Sequence, residues 1–280
     1  MTGRLPNFLH LGAGKAGSTW LHEVLSLHPS VYLSEAKDLY YFSRYYSRGT
    51  DWYREQFAGA GPQHRVVGEV CPDYLASPHC ADRVAATLGT DVRLMVTLRE
   101  PAERAYSSYL YLSKHGLAAP TFRQTAHDSP ELIDEGRYGS QLADFARVFG
   151  AEAIHVALFD DLQNDPQGFL DGVTDWLGLE RQPLSPEQLE AQLPASKARF
   201  LPLARAAQRS AEFVRQHDGA KIVGRVKRSA LVQSTLYRQL GDDRPQISPE
   251  DLAWVRSELD GEVSELEQQF GVPVRARWNW

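Results

Sequence analysis

Cysteine is scarce in this sequence, which contains only Cys71 and Cys80. The two are too far apart to form a Cys-x-x-Cys pair, and no third or fourth ligand lies within sequence reach, so we expect no zinc site. Two reduced, partly buried thiols are the simpler interpretation, because free cysteine packs like a small hydrophobic residue. We therefore predict a protein without a metal centre.

Long apolar segments and an excess of positive charge are also missing. No apolar run approaches the about 20 residues that a membrane helix needs, and Met1–Pro6 contains no apolar core of a signal peptide. The formal net charge is -6, which argues against a nucleic-acid partner bound through phosphate contacts. We expect a cytoplasmic protein with neither nucleic acid nor membrane as a partner.

What the sequence does contain is an α/β pattern without internal repeats. Asn7–Gly12 predicts a short buried strand, followed by a glycine-rich turn and an amphipathic segment, Thr19–Leu27. Arg65–Val70, Val92–Leu98 and Ile154–Leu158 are apolar runs that suit further parallel strands. We predict an α/β fold in a single domain, with a central parallel sheet flanked by helices.

Helical segments complete the pattern, and the predicted helices are Asp51–Phe57, Pro78–Leu88, Pro101 to about His115, Ser140–Phe149, Pro166–Leu177 and Pro249 to about Phe270. Asp51 is a candidate N-cap, and Ala119–Asp134 is predicted as an irregular loop or lid. From about Leu184 the strand signals vanish. The sequence therefore predicts an α/β core over about residues 5–180 and a mostly helical C-terminal part over about 184–280.

The segment Gly12–Thr19 lies between the first predicted strand and helix. Its glycines match a dinucleotide fingerprint, but no acidic residue closes the second strand, and a Walker A motif fails because Lys15 precedes Ala16. What remains is a lysine among small residues at a helix N-terminus, where free N–H groups favour a phosphate or sulfate. Ser18 and Thr19 add hydroxyl donors. The alternative is a turn whose glycines serve backbone geometry alone.

A second cluster follows the strand that ends at Leu98. Arg99 lies at its carboxyl end, where ligands bind in open α/β sheets, and Ser107 lies on the following helix. Together they are suited to clamp a terminal phosphate. A surface ion pair with Glu103 is the alternative for Arg99, whereas Arg104 is expected to pair with Glu100 along the helix.

These segments resemble a known family. Lys15-Ala16-Gly17-Ser18-Thr19-Trp20 resembles the 5′-phosphosulfate loop of sulfotransferases that use 3′-phosphoadenosine 5′-phosphosulfate (PAPS), and Arg99-x-Pro101-x-x-Arg104-x-x-Ser107-x-Tyr109 resembles their 3′-phosphate motif. Leu25–Val31, Tyr41-Phe42 and Gly68-Glu69-x-x-Pro72-x-Tyr74 are similar to the branch of heparan sulfate sulfotransferases and their bacterial relatives. The resemblance covers roughly residues 5–180, and it implies a P-loop-NTPase-like sulfotransferase fold.

The resemblance implies a reaction and a cofactor site. A sulfuryl group would move from PAPS to a hydroxyl or amine of a carbohydrate or small natural product, leaving 3′-phosphoadenosine 5′-phosphate (PAP). Residues Lys15 to Trp20 would bind the 5′ end, with Lys15 also catalytic, and Arg99 and Ser107 would bind the 3′-phosphate. No metal is required, since lysine and backbone dipoles supply a positive field.

The catalytic base is left open between two carboxylates. The related branch has a glutamate four residues before the second aromatic residue of its pair, and Asp38 occupies that place here, with Glu35 as the rival. Either could instead be a solvated loop carboxylate, and Lys37 either lies near the sulfuryl group or faces solvent. Val70 stands where that branch often has lysine, which weighs against a heparan-type acceptor. His79, His115 and His127 are weaker candidates for the base.

Two other functions remain open at this point. The strand–loop–helix opening also suits a kinase or nucleotide hydrolase, and the departures at Asp38 and Val70 allow a non-catalytic PAP-binding module. The aromatic residues between Tyr40 and Tyr46 line an acceptor pocket or pack as core. Candidates for closing the nucleotide site are Lys197, Arg199, Lys227, Arg228 and Arg244.

Overall fold

The computed structural model describes residues 3–190 and 247–280, together with the short strands Ser196–Ala198 and Tyr237–Gln239. Two compact units are distinguished. The first consists of Met1–Glu100, Arg137–Gln192 and Glu258–Trp280, and the second of Pro101–Gly136 and Leu193–Ser257. The single-domain organisation stays a prediction.

The first unit is built on a five-stranded, fully parallel sheet with the strand order β2-β3-β1-β4-β5. The strands are β1 (Phe8–Gly12), β2 (Val31–Leu33), β3 (Val66–Val70), β4 (Arg93–Leu98) and β5 (Ile154–Leu158). Every residue of β1 and β3 is buried, as expected for parallel strands covered on both faces. The predicted central parallel sheet is confirmed.

The strand order places a ligand site at the end of β1. The chain leaves β1 for β2 on one side of the sheet, returns to β3 beside β1, and then crosses to β4 on the other side. Such a switch point opens a crevice outside the carboxyl ends of the strands, where ligands bind in open α/β sheets. The segments that follow β1, β3 and β4 therefore meet at one edge.

Helices of the first unit flank the sheet, and those before residue 191 are α1 (Ser18–Leu25), α2 (Gly49–Glu55), α3 (Cys80–Leu88), α7 (Tyr138–Phe149), α8 (Phe159–Asn164), α9 (Pro166–Leu177) and α10 (Pro186–Glu190). Apolar side chains from β1, α1 and α9 share one core cluster that includes Phe8, Trp20, Leu21, Phe169, Leu170 and Val173. Full burial of such side chains stabilises by about 1.5–3 kcal/mol each.

The described helices of the second unit begin with α4 (Pro101–Lys114), α5 (Phe122–Asp128) and α6 (Glu131–Asp134). The predicted loop over Ala119–Asp134 was wrong, because it contains two helices. Thr121 caps α5 by accepting a hydrogen bond from the Gln124 N–H. The C-terminal helices are α11 (Pro249–Phe270), which contributes to both units, and α12 (Val274–Trp278).

Three further expectations need correction. Asp51 is not the N-cap of α2, since the helix begins at Gly49 and Asp51 pairs with Arg54 inside it. Arg104 does not pair with Glu100 as predicted: fully buried, it contacts Glu135 at 2.7 Å and donates to the Leu132 carbonyl. The described C-terminal part is mostly helical, as predicted, but strands do occur in it, because β6 (Ser196–Ala198) and β7 (Tyr237–Gln239) pair antiparallel. The basic candidates from Lys197 to Arg244 have side chains outside the described residues.

Candidate active site

The glycine-rich loop occupies the carboxyl end of β1. Its Ala13 N–H donates to the Thr97 carbonyl at 2.8 Å, which ties the loop to β4. Helix α1 then begins at Ser18, and its first hydrogen bond runs from the Leu21 N–H to the Gly17 carbonyl at 3.0 Å. The N–H groups of the first turn have no acceptor within a helix, so they are available for an anion at this end of α1.

Gly17 is required by both backbone conformation and space. Its φ of 85° lies in the left-handed region that side chains disfavour. A Cβ at this position would also lie 2.5 Å from Leu162 Cδ2 and 3.3 Å from the Phe159 ring. Helix α8 therefore packs directly against the loop. Lys15 likewise has a positive φ, 67°, without being glycine, and its side chain is half-buried.

Arg99 lies against the same loop. One guanidinium nitrogen donates to the Lys15 carbonyl at 3.4 Å, and the guanidinium carbon lies 5.0 Å from the centre of the Phe159 ring. The residue is only 9% exposed, and its own carbonyl accepts from the Tyr138 hydroxyl at 3.0 Å. These contacts bring Arg99, one of the predicted phosphate-binding cations, against the loop that carries Lys15, the other.

The remaining predicted cofactor residues are placed differently. Ala16 and Ser18 are buried and Thr19 is half-buried at the start of α1. The indole of Trp20 packs inward, donating to the Gln188 carbonyl at 3.0 Å and meeting Phe169 edge-on, so a ligand contact from Trp20 would come from its backbone. Ser107 is half-buried on α4 in the second unit, and its role stays a prediction.

The turn that carries Asp38 follows β2 and returns to the end of β3. The Asp38 N–H donates to the Val70 carbonyl at 3.1 Å, and the Asp38 carboxylate pairs with Lys37 at 2.7 Å. Asp38 and Tyr40 have φ angles of 64° and 56°, and such left-handed residues cost about 1–3 kcal/mol each. Glu35, the rival base, is exposed.

A buried carboxylate lies behind this turn. Glu69 is fully buried on β3; its Oε1 accepts from the Leu39 N–H at 3.1 Å and from the Tyr74 hydroxyl at 2.7 Å, and its Oε2 accepts from the Tyr53 hydroxyl at 2.8 Å. Burial raises the pKa of Glu69 to about 7, and the Asp38 charge adds to the rise. The three hydrogen bonds act in the opposite direction.

A second buried polar pair lies beneath the loop. His10 on β1 faces Thr97 on β4, with 3.1 Å between Nε2 and Oγ1. Burial, and after it the nearby Lys37 charge, lowers the pKa of His10 to about 3. The imidazole is therefore neutral at ordinary pH.

Sequence reasoning missed three parts of this site: the Phe159 ring under Arg99, the His10–Thr97 pair, and the hydrogen bonds that Tyr53 and Tyr74 make to Glu69. Glu69 belongs to the segment Gly68-Glu69-x-x-Pro72-x-Tyr74, and its position inside an otherwise apolar strand indicates a carboxylate with hydrogen-bond partners. Of the aromatic residues nearby, Tyr41 and Phe42 pack as core, since both are buried and Tyr41 stacks on Tyr53 at 4.2 Å. Tyr40, Tyr45 and Tyr46 are half-buried. Among the described residues, no cluster of His, Cys, Asp and Glu could hold a metal ion.

The fold and site define an α/β protein with a glycine-rich loop, followed by a helix N-terminus, at the switch point of its sheet. Comparison with known proteins identifies the class: the sulfotransferase domain profile matches residues 5–222. The chain therefore belongs to the sulfotransferase family, a class of enzymes that use PAPS. This confirms the resemblance and the cofactor class predicted from the sequence.

Individual relatives agree with this assignment. The chain is 32% identical to the membrane-associated sulfotransferase kil1 of Dictyostelium discoideum over 46% of this chain and 29% of that protein. It is 29% identical to the human heparan sulfate glucosamine 3-O-sulfotransferase 3B1 over 64% of this chain and 47% of that protein. The chain thus spans less than half the length of these curated relatives.

Solved structures support the fold. A sulfotransferase from Alicyclobacillus acidocaldarius aligns with a TM-score of 0.59 and 23% identity, over 82% of this chain and 98% of that one. Although one curated relative is named as membrane-associated, no helix within the described part of this chain is long and apolar enough to cross a membrane.

Proposed function

We propose that this protein transfers a sulfuryl group from PAPS to a hydroxyl or amine of a carbohydrate or small natural-product acceptor. The observation that carries the proposal is the contact of Arg99 with the Lys15 carbonyl at the end of β1. This contact places Arg99 beside the loop that carries Lys15, at the same sheet edge as the N-terminus of α1. Such an arrangement suits PAPS, because PAPS has two separated phosphate groups. The family assignment agrees with this ligand.

The roles of the residues follow from where charge develops. As the sulfur–oxygen bond to the 5′-phosphate breaks, negative charge builds on the leaving oxygen. Lys15 and the amides at the start of α1, with the hydroxyls of Ser18 and Thr19, are suited to stabilise that charge. Arg99 is suited to bind the 3′-phosphate, and the part of Ser107 in this stays a prediction from the sequence. The acceptor oxygen or nitrogen forms the new bond to sulfur and gives its proton to a base.

Asp38 is the base we favour. It is half-buried on a turn bonded to the end of β3, next to the strand that leads into the Lys15 loop. Glu35 is exposed and remains the rival. Asp38→Asn is expected to lower turnover about 100-fold or more with little effect on PAP binding, because general base catalysis contributes about 10²–10⁴-fold. Glu35→Gln is the matched control, and the opposite ranking would assign the base to Glu35.

The acceptor class rests on the relatives. The similarity to a heparan sulfate glucosamine 3-O-sulfotransferase favours a carbohydrate. Val70 stands where that branch often has lysine, so a heparan-type acceptor is not assumed. A panel of sulfated and neutral sugars and small phenols, assayed by PAP release, would identify the class.

Calorimetric titration without metal tests the cofactor site. Native protein should bind PAP more tightly than AMP, which lacks only the 3′-phosphate. Arg99→Ala should remove most of that preference and leave AMP binding intact, whereas Lys15→Ala should weaken both nucleotides. Each loss should be about 10- to 100-fold, since a hydrogen bond to a charged group contributes about 1.5–3 kcal/mol. Arg147→Ala, which removes a surface ion pair with Asp82, is the control and should bind normally.

Three outcomes would redirect the assignment. Equal affinity for PAP and AMP would mean that Arg99 does not read a 3′-phosphate. If the protein binds ATP in the presence of Mg²⁺ but does not bind PAP, a kinase or nucleotide hydrolase would be favoured. Tight PAP binding without transfer to any acceptor of the panel would favour a non-catalytic module.

A further inference from the structure

The carboxylate of Glu69 has no part in the chemistry proposed above, yet it is the polar centre of the region behind the Asp38 turn. We propose that Glu69 is a positioning residue, which holds the Lys37–Tyr41 turn in the conformation from which Asp38 takes the acceptor proton. This inference rests on the proposed function. It assigns Glu69 no contact with either substrate.

The first argument is the direction of the hydrogen bonds. Glu69 accepts directly from the Leu39 N–H at 3.1 Å. It also accepts from the Tyr74 hydroxyl, whose oxygen in turn accepts from the Tyr41 N–H at 2.9 Å. The amides on both sides of Tyr40 are therefore tied to one carboxylate, and the Asp38 N–H is tied to the carbonyl of the neighbouring Val70.

The second argument is the backbone of the turn. Asp38 and Tyr40 both adopt positive φ angles, 64° and 56°, although neither is glycine. Such conformations persist only where the surroundings over-determine them. Here the hydrogen bonds to Glu69 and Tyr74 hold the amides of Leu39 and Tyr41. These two residues alternate with the two residues of positive φ.

The third argument is the scaffold that carries Glu69. It lies on β3, which pairs with β1 so that Glu69 is opposite Leu9. β1 leads directly into the loop that carries Lys15. One rigid sheet thus sets the position of both the cofactor loop and the Asp38 turn. Sites held by strands are positioned more accurately than sites held by loops alone.

The chemistry of the side chain explains why a carboxylate is suited to this place. Three donors converge on it, and an ionised carboxylate accepts at both oxygens. In Glu69→Gln the amide oxygen can still accept from Leu39 and Tyr74, and the Tyr53 hydroxyl can rotate to accept from the NH₂ group. Glu69→Ala leaves all three donors unpaired in the interior, which is unfavourable.

The test is amide hydrogen exchange with the full chain, combined with PAP titration and the rate of PAPS hydrolysis, for which water is the acceptor. Glu69→Ala should accelerate exchange at Leu39 and Tyr41 about 10-fold or more. Hydrolysis should slow by about 10- to 100-fold because the base is misplaced, while PAP affinity stays within about two-fold of native. Glu69→Gln should restore most of both losses.

Two further variants separate positioning from general destabilisation. Tyr74→Phe keeps the ring but removes the hydroxyl, so exchange should accelerate at Tyr41 more than at Leu39. Thr174→Val removes a buried hydroxyl that bonds to the Leu170 carbonyl on α9, away from the turn. It should leave exchange in the turn and the hydrolysis rate unchanged.

The outcomes are distinct. Unchanged exchange at Leu39 and Tyr41 in Glu69→Ala would overturn the proposal, as would a Glu69→Gln variant as defective as Glu69→Ala. Loss of PAP binding together with faster exchange throughout the first unit would show a structural role only and also overturn it. If native protein does not bind PAP, the proposed function fails, while the exchange data still report on the turn.

Discussion

Replacing Gly17 with alanine probes the contact between the cofactor loop and α8. The added Cβ would lie 2.5 Å from Leu162 Cδ2, closer than real contacts allow, at a residue with a φ of 85°. A left-handed conformation costs a non-glycine residue about 1–2 kcal/mol. Forcing an extra carbon into a packed site costs about 1–3 kcal/mol more.

The added strain can be accommodated in two ways, and two measurements tell them apart. If the loop holds its position, the free energy of unfolding should fall by about 2–5 kcal/mol. If the loop moves instead, the amides at the start of α1 turn away and PAP affinity should fall about 10-fold or more, since each 1.4 kcal/mol is a factor of ten. Urea denaturation measures the first effect, and calorimetry with PAP the second.

Two variants serve as controls. Gly172→Ala lies on α9 with no atom within 4 Å of the new Cβ, so it should stabilise the helix by about 0.5–1 kcal/mol and leave PAP binding unchanged. Adding Leu162→Ala to Gly17→Ala removes the closest contact and should recover part of the PAP affinity. A Gly17→Ala protein with native stability and native PAP affinity would refute the close packing of loop and helix.

Two further predictions concern buried charge. The pKa of Glu69 is about 7 in the folded protein and 4.5 ordinarily, so its stabilising contribution is complete below pH 4.5 and is lost as the pH rises through 7. The loss should be about 3 kcal/mol; urea denaturation from pH 4 to 8 measures it, and Glu69→Gln should flatten that slope. Arg104→Ala should destabilise by about 2–3 kcal/mol, because it leaves the Leu132 carbonyl without its donor. Glu135→Ala should also destabilise by about 1–3 kcal/mol, although Glu135 is 41% exposed, because it leaves the fully buried Arg104 guanidinium without its charged partner; a negligible effect in denaturant would contradict this account.

Elements with chemical markers at their ends were predictable from the sequence. Pro166–Leu177 and Ile154–Leu158 have the predicted boundaries, because Asp165 and Pro166 mark the start of the helix and an unbroken apolar run defines the strand. The sequence predicts a loop where the structure has α5, a helix of seven residues that Thr121 caps. Strands of three residues, such as β6, are too short for a periodic signal.

The candidate site was likewise predictable from the sequence only where its residues are contiguous in the chain. The loop that we propose binds the cofactor could be predicted because a strand, small residues, Lys15 and a helix start are contiguous in the chain. The hydrogen bonds around Glu69 behind the Asp38 turn could not be predicted, since they join Tyr53 from α2 with Glu69 from β3. Only the tertiary fold brings these residues together, and no local pattern encodes their distance.

Phe159 lies between Arg99 and the loop that carries Lys15. Its ring lies under the Arg99 guanidinium, and a Cβ added at Gly17 would lie 3.3 Å from the edge of the same ring. Under the proposed function, in which Arg99 binds the 3′-phosphate, Phe159 acts as a spacer that sets how far this cation stands from the loop proposed to bind the 5′ end. A smaller side chain at position 159 should then relax the distance between the two anionic ends that the site requires of a nucleotide.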